Sequence, residues 1–197
     1  AAVDCTGHGV SGAFMSMIGN ALLNEIIMQR HIHDPSDILT CLNEGVVERL
    51  QQNEKSNDDG MDIALCCVSK TWGQNTKVTF CGAKRPVFLI KAGSQHLETI
   101  KGDRKSIGGL YKNKNSGFNN QEFEVQPDDC LYLCSDGLTD QNNPDRRKFG
   151  TGRFVKFLEA HAHLPMQQQK ALLETELKNH MNGAEQRDDI LVIGLKV

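Results

Sequence analysis

The chain of 197 residues has an ordinary composition for a globular protein, with 39% hydrophobic and 24% charged residues. This length predicts a single domain that is large enough to bury a hydrophobic core. The net charge of −3 gives no basic surface for nucleic acid or an anionic membrane. The longest unbroken apolar run, 63–68, is too short to span a membrane, and no signal peptide is evident. We therefore expect a cytoplasmic domain that contacts neither nucleic acid nor membrane.

The cysteine pattern argues against a zinc site or a disulfide framework. The seven cysteines are an odd number, and none belongs to a C-x-x-C pair. Cys66 and Cys67 are adjacent and point to opposite faces of a predicted strand, while Cys130 and Cys134 lie within another apolar strand. Buried, reduced thiols are the favoured interpretation.

The first third of the chain predicts two helices. Residues 11–30 carry apolar side chains at helical spacing, interpreted as an ordinary core stripe: Phe14, Met17, Ile18, Ala21, Leu22 and Ile26. The segment 31–35 ends this helix. Ser36 is the predicted N-cap of a second helix, whose apolar stripe runs from Ile38 to Leu50.

The rest of the chain predicts strands followed by helices. Strands are expected at 61–68, 77–81, 87–91, 96–100, 121–125 and 130–134, with the last two forming a pair and 101–119 a surface loop. A polar segment at 142–152 precedes helices at 154–160 and 166–181, and a strand at 190–197 closes the chain. Consecutive strands flanked by helices predict an α+β fold with antiparallel sheets.

Three carboxylates lie at the ends of predicted strands. Asp4 follows an apolar lead-in and precedes a glycine-rich turn, Asp136 follows the strand at 130–134, and Asp188 precedes the strand at 190–197. Carboxylate oxygens are the ligands that Mg²⁺ and Mn²⁺ prefer, so these residues could form a metal site. The alternative is that Asp4 caps a helix and the others are turn residues. Spacing alone favours this alternative, because aspartate is common where a strand meets a turn.

Other polar residues allow both a functional and a structural interpretation. His8, between two glycines, could act as a general acid, although composition alone favours a solvent-facing turn histidine. Lys84 and Arg85 could bind phosphate or an acidic partner, or be solvated loop charges. His31 and His33 are interpreted as surface residues, because side chains at i and i+2 of a helix end do not face each other.

Five motifs taken together resemble the SpoIIE/RsbU-type bacterial serine phosphatases, which belong to the metal-dependent protein phosphatase 2C-like (PPM) superfamily. The motifs occur in the family's order at 4–17 (DCTGHGVSGAFMSM), 61–65 (MDIAL), 82–86 (GAKRP), 135–140 (SDGLTD) and 186–190 (QRDDI). The resemblance implies a four-layer fold in which two antiparallel sheets are sandwiched between helices. It also implies a single domain over residues 1–197.

The resemblance further implies two Mn²⁺ or Mg²⁺ ions that activate a water for attack on phosphoserine or phosphothreonine. Asp4 would bridge both ions, the Cys5 carbonyl would be a further ligand, and Asp136 and Asp188 would complete the site. Asp188 is preferred over its neighbour because the family aligns the first acid with the ligand. His8 matches the family's histidine, with a proton-donor role. Either acid at 58–59 would help to hold a third, weaker ion.

The chain departs from the family pattern at its start. The family usually has an upstream strand ending in Gly-Gly-Asp, whose acid is another metal ligand, and that segment does not precede Asp4 here. We therefore expect a fragment of a longer signalling protein that lacks its N-terminal strand or strands, with weak metal binding or pairing of two copies across an open sheet edge. Ser11 stands where the family often has proline, and we expect no effect from this change.

The resemblance also implies the partners. Its members usually follow an N-terminal sensor, receiver or HAMP-type module, which can be membrane-anchored, and dephosphorylate small anti-sigma-factor antagonists of the STAS type. Two alternatives remain open. One is a phosphatase-like binding module with little turnover in a partner-switching pathway, and the other is a metal phosphoesterase that acts on small molecules.

Overall fold

The structure, a computed structural model, describes residues 1–7, 9–54, 57–70, 76–109 and 117–197. The described residues form two compact units. The first consists mainly of residues 3–86 and 101–124, and the second of residues 87–100 and 125–197. Each unit contains one β-sheet and its own helices.

The bounds of the elements are as follows. The strands are β1 Ala2–Cys5, β2 Gly60–Ser69, β3 Thr76–Ala83, β4 Val87–Ile90, β5 Leu97–Ile100, β6 Ile107–Gly108, β7 Gln121–Val125, β8 Cys130–Cys134 and β9 Val192–Lys196. The helices are α1 Gly9–Asn24, which continues as a π-helical turn over Glu25–Gln29, then α2 Pro35–Arg49, α3 Gly137–Asp140, α4 Thr151–His161 and α5 Met166–Met181. The prediction of an α+β fold with two antiparallel sheets is confirmed.

The sheet of the first unit has the order β1-β2-β3-β7, and β6 pairs with the beginning of β2. β2 and β3 are antiparallel with Leu65 opposite Cys81. Helices α1 and α2 cover this sheet through a buried cluster that includes Leu22, Leu42 and Ile63. The prediction of a surface loop over 101–119 is wrong at β6, because Ile107 is fully buried in this cluster.

The core stripe predicted for α1 is confirmed at Leu22 and Ile26, which are 4% and 1% exposed, but not in the first half of the helix. Phe14 and Met17 are 61% and 68% exposed, whereas Met15 is only 3% exposed. The buried stripe also includes Gly19, whose missing side chain lets the helix approach β2: a Cβ there would lie 2.9 Å from Met61 Cε. The core stripe predicted through Phe14 and Met17 is therefore wrong. A prediction that counts only large apolar residues misses a glycine whose small size permits close packing.

Helix α2 begins two residues earlier than the cap prediction implied. Asp34, not Ser36, is the N-cap, and its Oδ1 accepts hydrogen bonds from the main-chain N–H groups of Ser36 and Asp37 at 2.9 and 3.2 Å. Pro35 follows at the first helical position, where its lack of an N–H costs nothing. Asp and Ser are similarly good N-caps, and it is Pro35, a favoured first helical residue, that places the cap at Asp34.

The sheet of the second unit has the order β5-β4-β8-β9 with antiparallel neighbours. Helices α4 and α5 pack on it through a cluster that includes Tyr132, Phe154 and Leu158. The positions of β7 and β8 agree with the prediction, but their predicted pairing is wrong. β8 pairs with β4 and β9, while β7 belongs to the sheet of the first unit.

The seven cysteines are all free, which confirms the prediction of reduced thiols. Burial raises the pKa of Cys66 to about 11 and that of Cys81 to about 12, so both remain protonated at neutral pH. The predicted burial is confirmed in part: three cysteines are buried and Cys67 is exposed, while the others are half-buried, namely Cys5, Cys41 and Cys66.

The segment Gly9–Gln29 is, among the described residues, the one helix with the length and apolar composition of a membrane span, with a mean hydropathy of 1.3. Core helices of water-soluble proteins pass the same test, so this composition assigns no location.

A buried carboxylate, Asp129, joins two turns of the second unit. Its side chain is 2% exposed and accepts hydrogen bonds from the N–H of Ala92 at 2.7 Å, the N–H of Gln126 at 3.0 Å and Lys91 Nζ at 3.0 Å. Burial opposes ionisation, but these donors together hold the pKa of Asp129 below its ordinary value. The stabilisation is therefore fully present above the ordinary carboxyl pKa and is lost as the pH falls through the lowered one.

We expect Asp129→Asn to lower the free energy of unfolding by about 1–3 kcal/mol at pH 7, because buried donors lose their charged acceptor. The variant should also lose less stability than the wild type on acidification. Urea unfolding between pH 7 and pH 3 measures both effects, with the exposed neighbour Asp128→Asn as control. Parallel pH profiles for wild type and Asp129→Asn would contradict this assignment.

Candidate functional site

Asp4 lies on β1, the short strand that leads into α1. Its Oδ2 forms an ion pair with Arg85, at 3.0 Å from the guanidinium NH2. The same NH2 lies 3.3 Å from Asp62 Oδ2. All three side chains are largely withdrawn from solvent, at 16%, 15% and 19% exposed for Asp4, Arg85 and Asp62. Two carboxylates of the first unit thus converge on one positive charge.

Asp62 is a site residue that the sequence interpretation did not single out. It interrupts the buried run of β2 between Met61 and Ile63, which are both buried. Its Oδ1 accepts a hydrogen bond from Ser106 Oγ and lies 3.8 Å from Lys84 Nζ. The sequence does contain a signal for this residue, namely an acid within an otherwise apolar strand. Burying such a charge costs free energy unless it has partners.

The turn that follows Asp4 is held by the beginning of β2. The N–H of Thr6 donates to the Gly60 carbonyl and the N–H of Gly60 donates to Thr6 Oγ1, both at 2.9 Å. Thr6 Oγ1 in turn donates to Asp59 Oδ1 at 3.3 Å. Of the acids at 58–59, the one at 59 is therefore placed beside this turn. His8, the predicted proton donor, lies outside the described residues.

Cys5 follows Asp4 at the end of β1. Burial is the main cause that raises the pKa of its thiol, and a hydrogen bond with Ser16 opposes the shift. A sulfur ligand suits hard cations such as Mg²⁺ less well than oxygen ligands do. The oxygen donor that Cys5 can offer to a hard cation is its main-chain carbonyl, and its role as a metal ligand stays a prediction.

In the second unit, Asp136 and the 188–189 segment are brought together by main-chain packing. Asp136 follows β8 and precedes α3, whose first residue is Gly137. A Cβ at Gly137 would lie 2.3 Å from the Asp189 carbonyl oxygen, so only glycine permits this approach. Asp188 is exposed, and its Oδ1 accepts a hydrogen bond from the N–H of Asp189 at 2.8 Å.

The described side chains do not by themselves form a complete metal site. Over the described part of the chain, no group of three or more histidine, cysteine, aspartate or glutamate side chains is arranged to hold a metal ion. His31 and His33 are exposed, as predicted. Asp4 and Asp62 are close enough to share one cationic group, since both carboxylates contact the guanidinium of Arg85.

Comparison with known proteins gives a consistent result. The family model described as "Stage II sporulation protein E (SpoIIE)" matches residues 1–197. Protein IcfG of Synechocystis is 30% identical over 111 residues, which are 56% of this chain and 17% of that protein. The chain therefore corresponds to a small part of this relative.

Solved structures show the same fold. The SiaA-PP2C domain of Pseudomonas aeruginosa superposes with a TM-score of 0.81 and 26% identity, over 99% of this chain and 74% of that one. The PP2C phosphatase domain of SpoIIE from Bacillus subtilis, solved with a fragment of its regulatory domain, gives 0.71 and 17% identity over 98% and 52%. The RsbU and RsbW domains of a Mycobacterium tuberculosis protein give 0.64 and 20% identity over 98% and 50%.

Proposed function

Because the chain belongs to the SpoIIE family of PP2C-type serine/threonine protein phosphatases, we propose that it hydrolyses phosphoserine or phosphothreonine on a small regulatory protein. The observation that carries this proposal is the match of the family model over the full 197 residues. The candidate acids lie within the motifs that resemble the family: Asp4 in β1, Asp136 two residues after β8, and Asp188 four residues before β9.

We propose that two Mn²⁺ or Mg²⁺ ions are held by Asp4, the Cys5 carbonyl, Asp136 and Asp188. Phosphatases of this family depend on metals, and a SpoIIE phosphatase domain has been solved after presoaking with Mn. The donor set suits these ions, because it consists of carboxylate and carbonyl oxygens. When bound, such ions supply an activated water and Lewis acidity toward the phosphoryl oxygens. What supports assigning the acids of both units to the same ions is the order of the family's motifs.

The residues of the chain contribute binding and charge. Arg85 carries a planar guanidinium that can bind two phosphoryl oxygens side by side, and its low exposure strengthens the interaction. In the proposal, Asp4 would serve as a metal ligand, and Arg85, still paired with Asp62, would offer its other N–H groups to the phosphoryl oxygens. His8 donates a proton to the leaving serine oxygen. Asp59, beside the Thr6 turn, is proposed for a third, weaker ion.

The substrate and the regulatory context are also proposals. A structural relative joins RsbU and RsbW domains in one polypeptide, which supports a partner-switching context for this family. We propose a phosphorylated STAS-type protein as substrate, an N-terminal sensor or receiver module in the full-length protein, and a cytoplasmic location. Pairing of two copies at a sheet edge is a further proposal.

The experiment that tests this function compares phosphate release from a phosphoserine peptide and from p-nitrophenyl phosphate in the presence of Mn²⁺. The full-length protein should turn over both substrates, and Asp136→Ala should reduce kcat about a thousandfold or more, because losing several kcal/mol of transition-state stabilisation costs a factor of ten per 1.36 kcal/mol. Asp140→Ala is the matched control, since this acid ends the short helix that Asp136 precedes, is 51% exposed and, within the described part of the chain, forms its ion pair with the exposed Lys148.

Three outcomes would change the proposal. An inert full-length protein, with every divalent ion tried, would replace the enzyme by a binding module. Faster turnover of nucleotides than of the phosphopeptide would indicate a small-molecule phosphoesterase. Full activity of Asp136→Ala would refute the assignment of this acid.

A further inference from the structure

A buried amide, Gln141, lies directly after α3 and is only 1% exposed. Its Nε2 donates hydrogen bonds to the carbonyl oxygens of Glu185 at 2.9 Å and Asn142 at 3.0 Å. Its Oε1 accepts a hydrogen bond from the N–H of Arg187 at 3.3 Å. One side chain therefore holds the main chain immediately before Asp188 at two points, and its own position is fixed by the helix that follows Asp136.

A second buried side chain holds the same segment from its other end. Ser135 is 4% exposed, and its Oγ donates to the Asp189 carbonyl at 2.9 Å while accepting from the N–H of Leu191 at 3.0 Å. The N–H of Ser135 also donates to the Leu191 carbonyl at 3.0 Å. Ser135 and Gln141, the residues on either side of the 136–140 segment, thus hold the acidic segment 188–189 from both ends.

The main chain of Gln141 is itself fixed by α4 and α5. His180 is 9% exposed, and its Nε2 lies 3.1 Å from the Gln141 carbonyl oxygen, which can only accept. Nε2 therefore carries the proton, and Nδ1 accepts from Arg153 NH1 at 2.9 Å. Arg153 is held in turn by Glu176 and lies 4.8 Å above the ring of Phe149.

Hydrophobic packing does not explain the conformation of the acidic segment, since residues 185–189 are all exposed. The polar bonds from Gln141 and Ser135 are what connect it to the buried part of the unit. A carboxylate on an exposed loop loses conformational entropy when it binds an ion, and a loop already fixed at both ends loses less.

We propose that Gln141 is a positioning residue for Asp188, acting through the main chain of residues 185–187. The inference rests on the proposed function, because only that function assigns a metal ion to Asp188. It goes beyond the family motifs, since Gln141 lies outside all five of them. Residues that orient metal ligands typically change metal affinity or activity by about 10–100-fold when they are replaced.

The test compares two glutamines of the same unit. Gln141→Met keeps the length of the side chain and removes its hydrogen bonds. Gln169→Met is the matched control, because Gln169 is 4% exposed, accepts from Tyr132 OH at 2.7 Å and donates to the Leu164 carbonyl at 2.8 Å in the turn between α4 and α5. Both variants should lower Tm by similar amounts.

Only Gln141→Met is expected to weaken Mn²⁺ binding in calorimetry, by about tenfold or more, and to lower kcat by a similar factor with KM within about twofold. It should also speed amide exchange at Arg187 in the metal-free protein, whereas Gln169→Met should leave all three quantities within about twofold of wild type. Equal Mn²⁺ affinity and equal Arg187 exchange in the two variants would overturn the proposal.

A further variant covers the case in which Gln141→Met does not fold. His180→Phe keeps a ring against Phe149 but removes the hydrogen bond to the Gln141 main chain. It should raise Arg187 exchange and weaken Mn²⁺ binding in the same direction, and unchanged values would overturn the proposal. If the wild type neither binds Mn²⁺ nor turns over, the proposed function fails, and Arg187 exchange still decides whether Gln141 orders the segment.

Discussion

Replacing Asp4 by asparagine is expected to lower kcat about a thousandfold or more while the protein stays folded. Asparagine has the same shape as aspartate and can still accept a hydrogen bond from Arg85. The 3.0 Å contact can therefore be kept, although the side chain at position 4 no longer carries a negative charge. The variant lacks the anionic oxygen that the proposed ions require. Several kcal/mol of transition-state stabilisation are then lost, at a factor of ten for each 1.36 kcal/mol.

The measurement is kcat at saturating Mn²⁺, together with the rise of Tm that Mn²⁺ causes. Both should be nearly abolished in Asp4→Asn. Glu25→Gln is a suitable control in the same unit, because it removes an ion pair with Arg49 in which both side chains are about 40% exposed. Such surface pairs contribute about 0–1 kcal/mol, so this control should behave as the wild type. Activity of Asp4→Asn within tenfold of wild type would exclude Asp4 from the metal site.

Replacing Gly137 by alanine is expected to damage both stability and turnover. The added Cβ would lie 2.3 Å from the Asp189 carbonyl oxygen and 2.9 Å from the Asp189 carbonyl carbon, so main chain must move. Overpacking in a buried position costs about 1–3 kcal/mol, and occasionally more. The atoms that must move belong to the segment that carries Asp188. A displacement of about 1 Å at a reacting group can cost about a hundredfold in rate, so we expect a loss of that order in kcat.

Gly152→Ala provides the control for this substitution. Gly152 lies in the first turn of α4, and a Cβ there would have no neighbour within 4 Å. Alanine should therefore be neutral or should stabilise the protein by a fraction of a kcal/mol, since it restricts the unfolded chain. Urea unfolding and kcat are compared for the two variants. If Gly137→Ala is as stable and as active as Gly152→Ala, the Asp189 carbonyl can move away without cost and the prediction is wrong.

Local sequence patterns predicted the elements whose signals are complete within a short window. The bounds of β7, β8 and α5 coincide with the predicted 121–125, 130–134 and 166–181. Each of these segments has a consistent period and lies between polar turn residues. The short helix α3 had no such signal, because four residues show no period.

Features that depend on distant contacts were not accessible in this way. β7 and β8 are neighbours in sequence, so a hairpin was the natural expectation. The main-chain edges of β8 are instead paired with β4 and β9, which come from distant parts of the sequence. The contact between Asp4 and Arg85 joins residues 81 apart. Motif likeness drew attention to Asp4, Asp136 and Asp188. It did not predict that Asp62 would share a cation with Asp4, because that depends on tertiary packing.

The outward face of α1 carries exposed apolar side chains that affect the behaviour of the protein in solution more than its folding. Val10, Phe14 and Met17 are 74%, 61% and 68% exposed, so they contribute little to the free energy of folding of their unit, whereas Met15 is 3% exposed. Met17→Ser should change the free energy of unfolding by less than about 0.5 kcal/mol. Met15→Ala should cost about 2–5 kcal/mol. A row of such side chains instead governs solubility and the tendency of the protein to adhere to other surfaces.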